Sequence, residues 1–312
     1  MEMCRSRVLD LYDVNRIDVS EFVDPFVMED GELEAELDRL RTRRSVLVDA
    51  DQVEPDDFVR LDCRSGTPKF QKTGLELRVG KGLFSRELES AILGMKAGET
   101  KAVSLPDAEA EVTIRGIRRR VLPVLSDETV ASWGLDGIRT VEALKRELRA
   151  KAKARYVDEL AEPLAAAIST AVNERSRFAL DPEELRAVEA EGREMAADML
   201  RGAGLDPDTA DDEAVRAVSG RTKQEHFDFL TEISVDGLKS AAIGARQMAQ
   251  SGVTVTEADY QRAVASNAEG MGVSVEEAAR IMPWPKYLRQ TAANYNFDII
   301  VAFAKAWLNK ED

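Results

Sequence analysis

Near residue 122 the hydrophobic period of this chain changes, and no other feature restricts its fold as much. Upstream, apolar residues alternate with polar ones in the runs 57–63 (DFVRLDC), 73–79 (TGLELRV), 100–105 (TKAVSL) and 111–117 (EVTIRGI). That spacing is the mark of half-buried antiparallel strands. Downstream there is no strand signal of comparable quality. Tyr156, Leu160, Leu164, Ile168 and Val172 instead recur at steps of four, an apolar stripe for a helix partner. Pro163 is expected to kink or split that helix. A chain of 312 residues has room for two cores. The expected fold class is α+β: a small antiparallel sheet with one short helix, attached to a larger all-α domain.

Between the upstream strands, 82–99 reads as a turn, a short amphipathic helix and a second turn. Ile92, Leu93 and Met95 are expected to face the sheet, with Gly94 and Gly98 reversing the chain. The stretches 14–19 and 22–27 look strand-like, interrupted by Pro25, and a lone strand there must pair within the chain or with a second subunit. A helix over 30–46 follows, capped by Asp30, with Leu33, Leu37 and Leu40 as its stripe. Further on, Asp181-Pro182 opens a helix whose Glu184 is placed to close a capping box. Helices over 209–250, 256–269, 274–281 and 284–308 complete the pattern, the last with Ile299, Ile300, Phe303 and Trp307 as its buried stripe.

A net charge of -15 argues against nucleic-acid binding, which needs Lys and Arg in excess. Arg118-Arg119-Arg120 is a local exception, either a solvated strand end or a docking patch for an acidic partner. The two cysteines, Cys4 and Cys63, make no disulfide framework, and Cys63 has the apolar parity of a core residue. His226 is the single histidine. No zinc set, no Ser-His-Asp triad and no P-loop follow from such residues, so no metal and no cofactor are expected. The charged N-terminus and the lack of a long apolar run predict a cytoplasmic protein with no membrane partner.

The run Ile-Leu-Gly-Met-Lys-Ala-Gly-Glu within 91–99 resembles the end of the helix in FKBP-type prolyl isomerases. Val121-Leu122-Pro123-Val124-Leu125-Ser126-Asp127-Glu128, followed by Trp133-Gly134, is similar to the exit from that domain in the trigger factor family of folding chaperones. The resemblance runs from about residue 14 to the C-terminus and is strongest in 85–150. It implies four divisions: 1–27, a remnant N-terminal strand segment; 28–50, a linker helix packing with the helical domain; 51–122, an FKBP-like domain; and 123–312, a helical chaperone domain. It also implies ATP-independent binding of unfolded or nascent polypeptides. The family's Gly-Phe-Arg-x-Gly docking loop is not found, so ribosome docking is not expected. A homodimer is left open.

Carried over residue by residue, the resemblance assigns a residual isomerase pocket to Asp62, Phe70, Leu83 and Phe84. Cys63 stands where an aromatic is usual, and the four residues between Pro106 and Glu111 replace the family's long flap. Phe70, Leu83 and Phe84, with Leu77, Val103 and Ile114, therefore read in two ways, as the core of a small sheet or as a residual apolar pocket that binds peptides or isomerises proline slowly. Met195, Met199, Met271 and Met282 lie in polar settings and are candidates for client binding, since methionine suits promiscuous apolar contact. The readings that remain open are a client-holding chaperone with a reduced FKBP-like domain, an active peptidyl-prolyl isomerase, and a non-catalytic dimeric scaffold.

Overall fold

The computed structural model describes residues 4–82, 84–105 and 108–310. In chain order its elements are β1 (Arg7–Asp10), α1 (Asp30–Arg43), β2 (Val46–Asp49), β3 (Phe58–Ser65), β4 (Lys72–Arg78), α2 (Arg86–Ala91), β5 (Thr100–Leu105) and β6 (Ala108–Val121). Then come α3 (Asp127–Ser132), α4 (Val141–Arg175), β7 (Arg177–Ala179), α5 (Pro182–Gly202), α6 (Asp212–Ser219), α7 (Lys223–Ser251), α8 (Glu257–Met271), α9 (Val275–Ile281) and α10 (Trp284–Leu308). The fold is α+β, a small antiparallel sheet and a larger helical region. The chain forms two compact units, Met28–Ala152 and Met1–Val27 with Lys153–Asp312. The boundary falls inside α4 because Leu33 and Leu37 of α1 are buried with Val130 of α3 and Leu144 of α4.

In the first unit, β6 carries β5 and β2 end to end on one edge and β3 on the other, with β4 beyond β3. All pairings are antiparallel. The alternation read from the sequence places Val59, Leu61, Cys63, Leu77, Val112 and Ile114 in one core against Leu88, Ile92 and Met95. Leu93 corrects the expectation for the short helix, since it is exposed. Leu88 and Ile92 stand one helical turn apart and face the sheet, and the next residue turns about 100° away. Gly94 and Gly98 take φ of 80° and 81°, the left-handed turns that favour glycine. Residues 46–49 are a strand on β6, not the end of a helix and a loop. Their partner lies some seventy residues downstream, beyond the reach of any local pattern.

The helical unit is organised by α7, which packs on α5 and α10. Two glycines permit these approaches. A Cβ on Gly192 would lie 2.7 Å from the Thr231 Cα, and one on Gly244 would lie 1.8 Å from the Ala292 carbonyl oxygen. Ile168, Leu164 and Val172 of α4 are buried with Ile243 of α7 and Ile300 of α10. Pro163 does not split α4, which is one helix of 35 residues. Pro163 and Glu159 are both on its exposed face, where water can serve the carbonyl that the proline leaves without a donor. The inward stripe of α10 is Leu288, Ala292, Asn296, Ile300, Ala304 and Leu308; Ile299 is exposed.

The N-terminal segment pairs within the chain. Its strand is β1 at 7–10, bonded to β7 in the register Arg7↔Ala179, Val8↔Phe178. The stretches Val14–Arg16 and Val19–Glu21 are 3-10 turns instead of strands, because Asp13 and Asp18 accept the N–H groups two residues on, at Asn15 and Ser20. Such local side-chain bonds compete with extended backbone. Nor does Glu184 close a capping box. Its carboxylate is buried and accepts Arg5 N–H at 2.9 Å, Ser6 N–H at 2.8 Å, the Ser6 hydroxyl at 2.8 Å and the Cys4 thiol at 3.5 Å. Burial pushes the Glu184 carboxyl up, but these donors outweigh it and hold it below the usual range. Burial and the same carboxylate push the Cys4 thiol up to about 12.

Two outcomes follow. Glu184→Gln removes acceptor capacity facing buried donors and should destabilise the helical unit by about 1–3 kcal/mol, with exchange protection lost over residues 4–10. Because the folded pKa is lowered, the anchor's stabilisation is present above the ordinary glutamate range, about 4.3, and is lost as pH falls through the folded value. Gly244→Ala drives a methyl into backbone and should cost about 3 kcal/mol or more, read as a fall in the thermal midpoint.

Candidate functional site

Of the residues assigned to an isomerase pocket, the sheet unit brings Phe70 and Phe84 together and sets Asp62 apart. Phe70 is 2% exposed and belongs to the core. Phe84 meets it edge to face, with ring centroids 6.0 Å apart, and is half-buried. Asp62 points to the other side of the sheet, since its strand neighbours Leu61 and Cys63 are the buried ones. It accepts the Gly74 N–H at 2.7 Å and the Arg115 guanidinium at 2.7 Å. The Gly74 bond first, and Arg115 second, hold its carboxyl below the usual range. Asp62 is thus engaged in bracing strands, away from the two phenylalanines. Leu83 lies outside the described residues, as do Pro106 and Asp107 of the shortened flap. Leu77, Val103 and Ile114 are buried core residues.

The buried ion pair of the sheet unit is structural. Arg119 donates to both carboxylate oxygens of buried Asp57, at 2.9 and 2.8 Å. Burial raises the Asp57 carboxyl, and the Arg119 and Glu54 bonds outweigh it, leaving it lowered. Among the described residues no cluster of three or more His, Cys, Asp or Glu could hold a metal, and no helix is long and apolar enough to cross a membrane. The one histidine, His226, is buried with its Nε2 3.1 Å from the Ala196 carbonyl oxygen.

The helical unit offers a surface. Met195, Met199 and Met271 are exposed, at 39%, 56% and 48%. Met282 is half-buried and packs on the cluster of Tyr260 and Val264, where its carbonyl accepts the Tyr260 hydroxyl at 3.1 Å. Met195 and Met199 have two neighbours that sequence reasoning missed, Phe229 and Ile233 of α7, exposed at 39% and 45%. Gly192 of α5 meets Leu230 and Thr231 of α7, and Ala196 meets His226, so the two helices run antiparallel. Each of the four apolar residues stands three positions after one of these contact residues. Counted from Gly192, Ala196, His226 and Leu230 that is about 60° round each helix in the same sense; counted from Thr231, the nearest approach to Gly192, Ile233 lies about 200° round α7. Met195, Met199, Phe229 and Ile233 make up the exposed apolar strip of this helix pair. Arg221 covers the Phe229 ring at 3.8 Å, and Glu194, Asp198 and Arg201 make ion pairs at the outer margin. A period-3.6 stripe marks core residues; the strip was hidden because it is offset from that stripe by one step.

Phe70→Ala tests the placement of Phe70. As a core truncation it should cost about 3–5 kcal/mol and unfold the sheet unit, seen as loss of its exchange protection at moderate temperature. A variant with the sheet unit intact would show that the ring lines an open pocket.

No protein-family model matches the chain. Among curated proteins, a trigger factor of Corynebacterium kroppenstedtii is 35% identical over 135 residues, covering 38% of this chain and 27% of that protein. A trigger factor of Rhodococcus erythropolis is 31% identical over 167 residues, covering 48% and 36%. A trigger factor of Thermobifida fusca is 24% identical over 290 residues, covering 86% and 59%. The chain thus spans about a quarter to three-fifths of the length of these relatives. A solved structure of the trigger factor chaperone aligns with 92% of this chain and 72% of that chain, at 16% identity and a TM-score of 0.46. The family that this chain resembles, over the stretches those sequences cover, is trigger factor.

Proposed function

We propose that this protein is a chaperone that binds non-native polypeptides without a nucleotide cycle, and that the strip on α5 and α7 holds them. The strip carries the reading. Four large apolar side chains stay exposed on two helices packed against each other, and exposed apolar surface that is clustered marks sites of interaction. Two of the four are methionines, whose flexible side chains accommodate varied partners. The net charge of -15 keeps such a surface soluble. Similarity to trigger factors supports a role in protein folding. Burial of Phe70 and the separate engagement of Asp62 favour a sheet unit that serves as a scaffold.

The test is aggregation of a chemically unfolded client diluted into buffer without ATP. The protein should suppress it at stoichiometric amounts. Replacing Met195, Met199, Phe229 and Ile233 together by Ser should weaken suppression several-fold while each exposed change alters stability by no more than about 0.5 kcal/mol. Equal suppression by the quadruple variant, with an unchanged melting curve, would remove the strip from the mechanism.

A further inference from the structure

The run Arg118-Arg119-Arg120 is divided by its strand. Arg119 turns toward Asp57, while Arg118 and Arg120, with opposite parity, lie on the other face of the sheet. A cavity of about 760 Å³ crosses the strands there, with Phe58, Arg60, Gly116, Arg118, Asp49 and Glu76 on its walls and Phe84 and Leu75 at its apolar end. In a chain with an excess of 15 negative charges, this recess is rich in arginine. Arg118 stands opposite Asp49 in the register and Arg60 opposite Glu76. Neither arginine is within ion-pairing distance of a carboxylate among the described residues. Arg78 and Arg120 flank the Phe58 ring, their guanidinium carbons 5.6 and 5.2 Å from its centroid. Gly116 forms part of the wall, and a Cβ there would meet no atom within 4 Å. Gly116 stands at the bulge between β3 and β6, and its missing side chain leaves the floor of the recess open.

We propose that this face of the sheet binds an extended acidic polypeptide segment. Arg60 and Arg118 supply forked donors for carboxylates. Asp49 and Glu76 accept backbone N–H groups, which a peptide has and a phosphate polymer lacks. Arg78 and Arg120 already lie against the Phe58 ring, where a nucleobase would have to displace one of them to stack. Beside the recess, β2 pairs only with β6 among the described residues and leaves Val46, Leu47 and Val48 exposed. Its free edge offers backbone donors and acceptors to an added strand. The recess belongs to the sheet unit, so the inference does not rest on the apolar strip of α5 and α7.

A short fluorescein-labelled peptide of alternating Glu and Leu, titrated with the full chain and followed by anisotropy, tests it. The same peptide with Gln for Glu is the control. The acidic peptide should bind, weaken with added salt, and lose about tenfold in affinity in the double variant Arg60→Ala/Arg118→Ala. Gly116→Leu should fill the recess and abolish binding without lowering the thermal midpoint; if it misfolds, the arginine variant decides alone. Client aggregation should be suppressed equally by all of these proteins. No binding, equal binding of the Gln peptide, or undiminished binding by the arginine variant would overturn the proposal. So would displacement of the peptide by a lower concentration of inorganic polyphosphate or RNA, which would assign the face to phosphate chains.

Discussion

Backbone hydrogen bonding along β6 is the constraint on which the sheet unit depends. Its fourteen residues satisfy β5, β2 and β3 together, and a bulge opposite Arg60/Leu61 resets which side chains face inward. Strand parity then distributes the chemistry. Val112, Ile114 and Ile117 go to the core, Arg119 goes to the carboxylate of Asp57, and Arg118 and Arg120 remain on the far face. One strand thus builds the core, the structural ion pair and the basic recess. Movement by a single residue would exchange all three.

The helical unit depends on close backbone approach. α7 can lie against α5 and α10 only because Gly192 and Gly244 have no side chain. That approach sets the helix faces in a fixed phase. Met195 and Met199 of α5 and Phe229 and Ile233 of α7 are left exposed on the two helices that this approach joins. The surface proposed to hold clients is a by-product of how the core is closed. Its position is as rigid as the packing beneath it.

Glu184 shows a local signal overtaken by a distant one. Asp181 does cap α5, accepting the N–H groups of Glu183 and Glu184. The glutamate three residues on has the spacing of a capping box, but the segment 4–6 offers three stronger donors and a thiol. Several donors to one buried carboxylate outweigh a single reciprocal bond at a helix end. The segment 4–10 is thereby held to the helical unit by the carboxylate at one end and by β7 at the other.

Periodicity alone determined the α+β class, the core faces of β3 and β4, the turn glycines 94 and 98, and the extent of α10, because each depends on neighbours within one or two turns of chain. The motif around Gly94-Met95 carried the resemblance to FKBP-type domains, and 121–134 that to trigger factor, for the same reason. The turns at 14–16 and 19–21 were local too, set by Asp13 and Asp18, a signal that the strand-like spacing masked; tertiary structure alone decided that 46–49 is a strand, that Pro163 leaves α4 whole, that Glu184 grips the N-terminal segment, and that Asp62 stands apart from Phe70. Each of these rests on a partner many residues away, or on which side of an element meets water. Local spacing records what a segment can bury, and only the assembled chain decides what it is buried against.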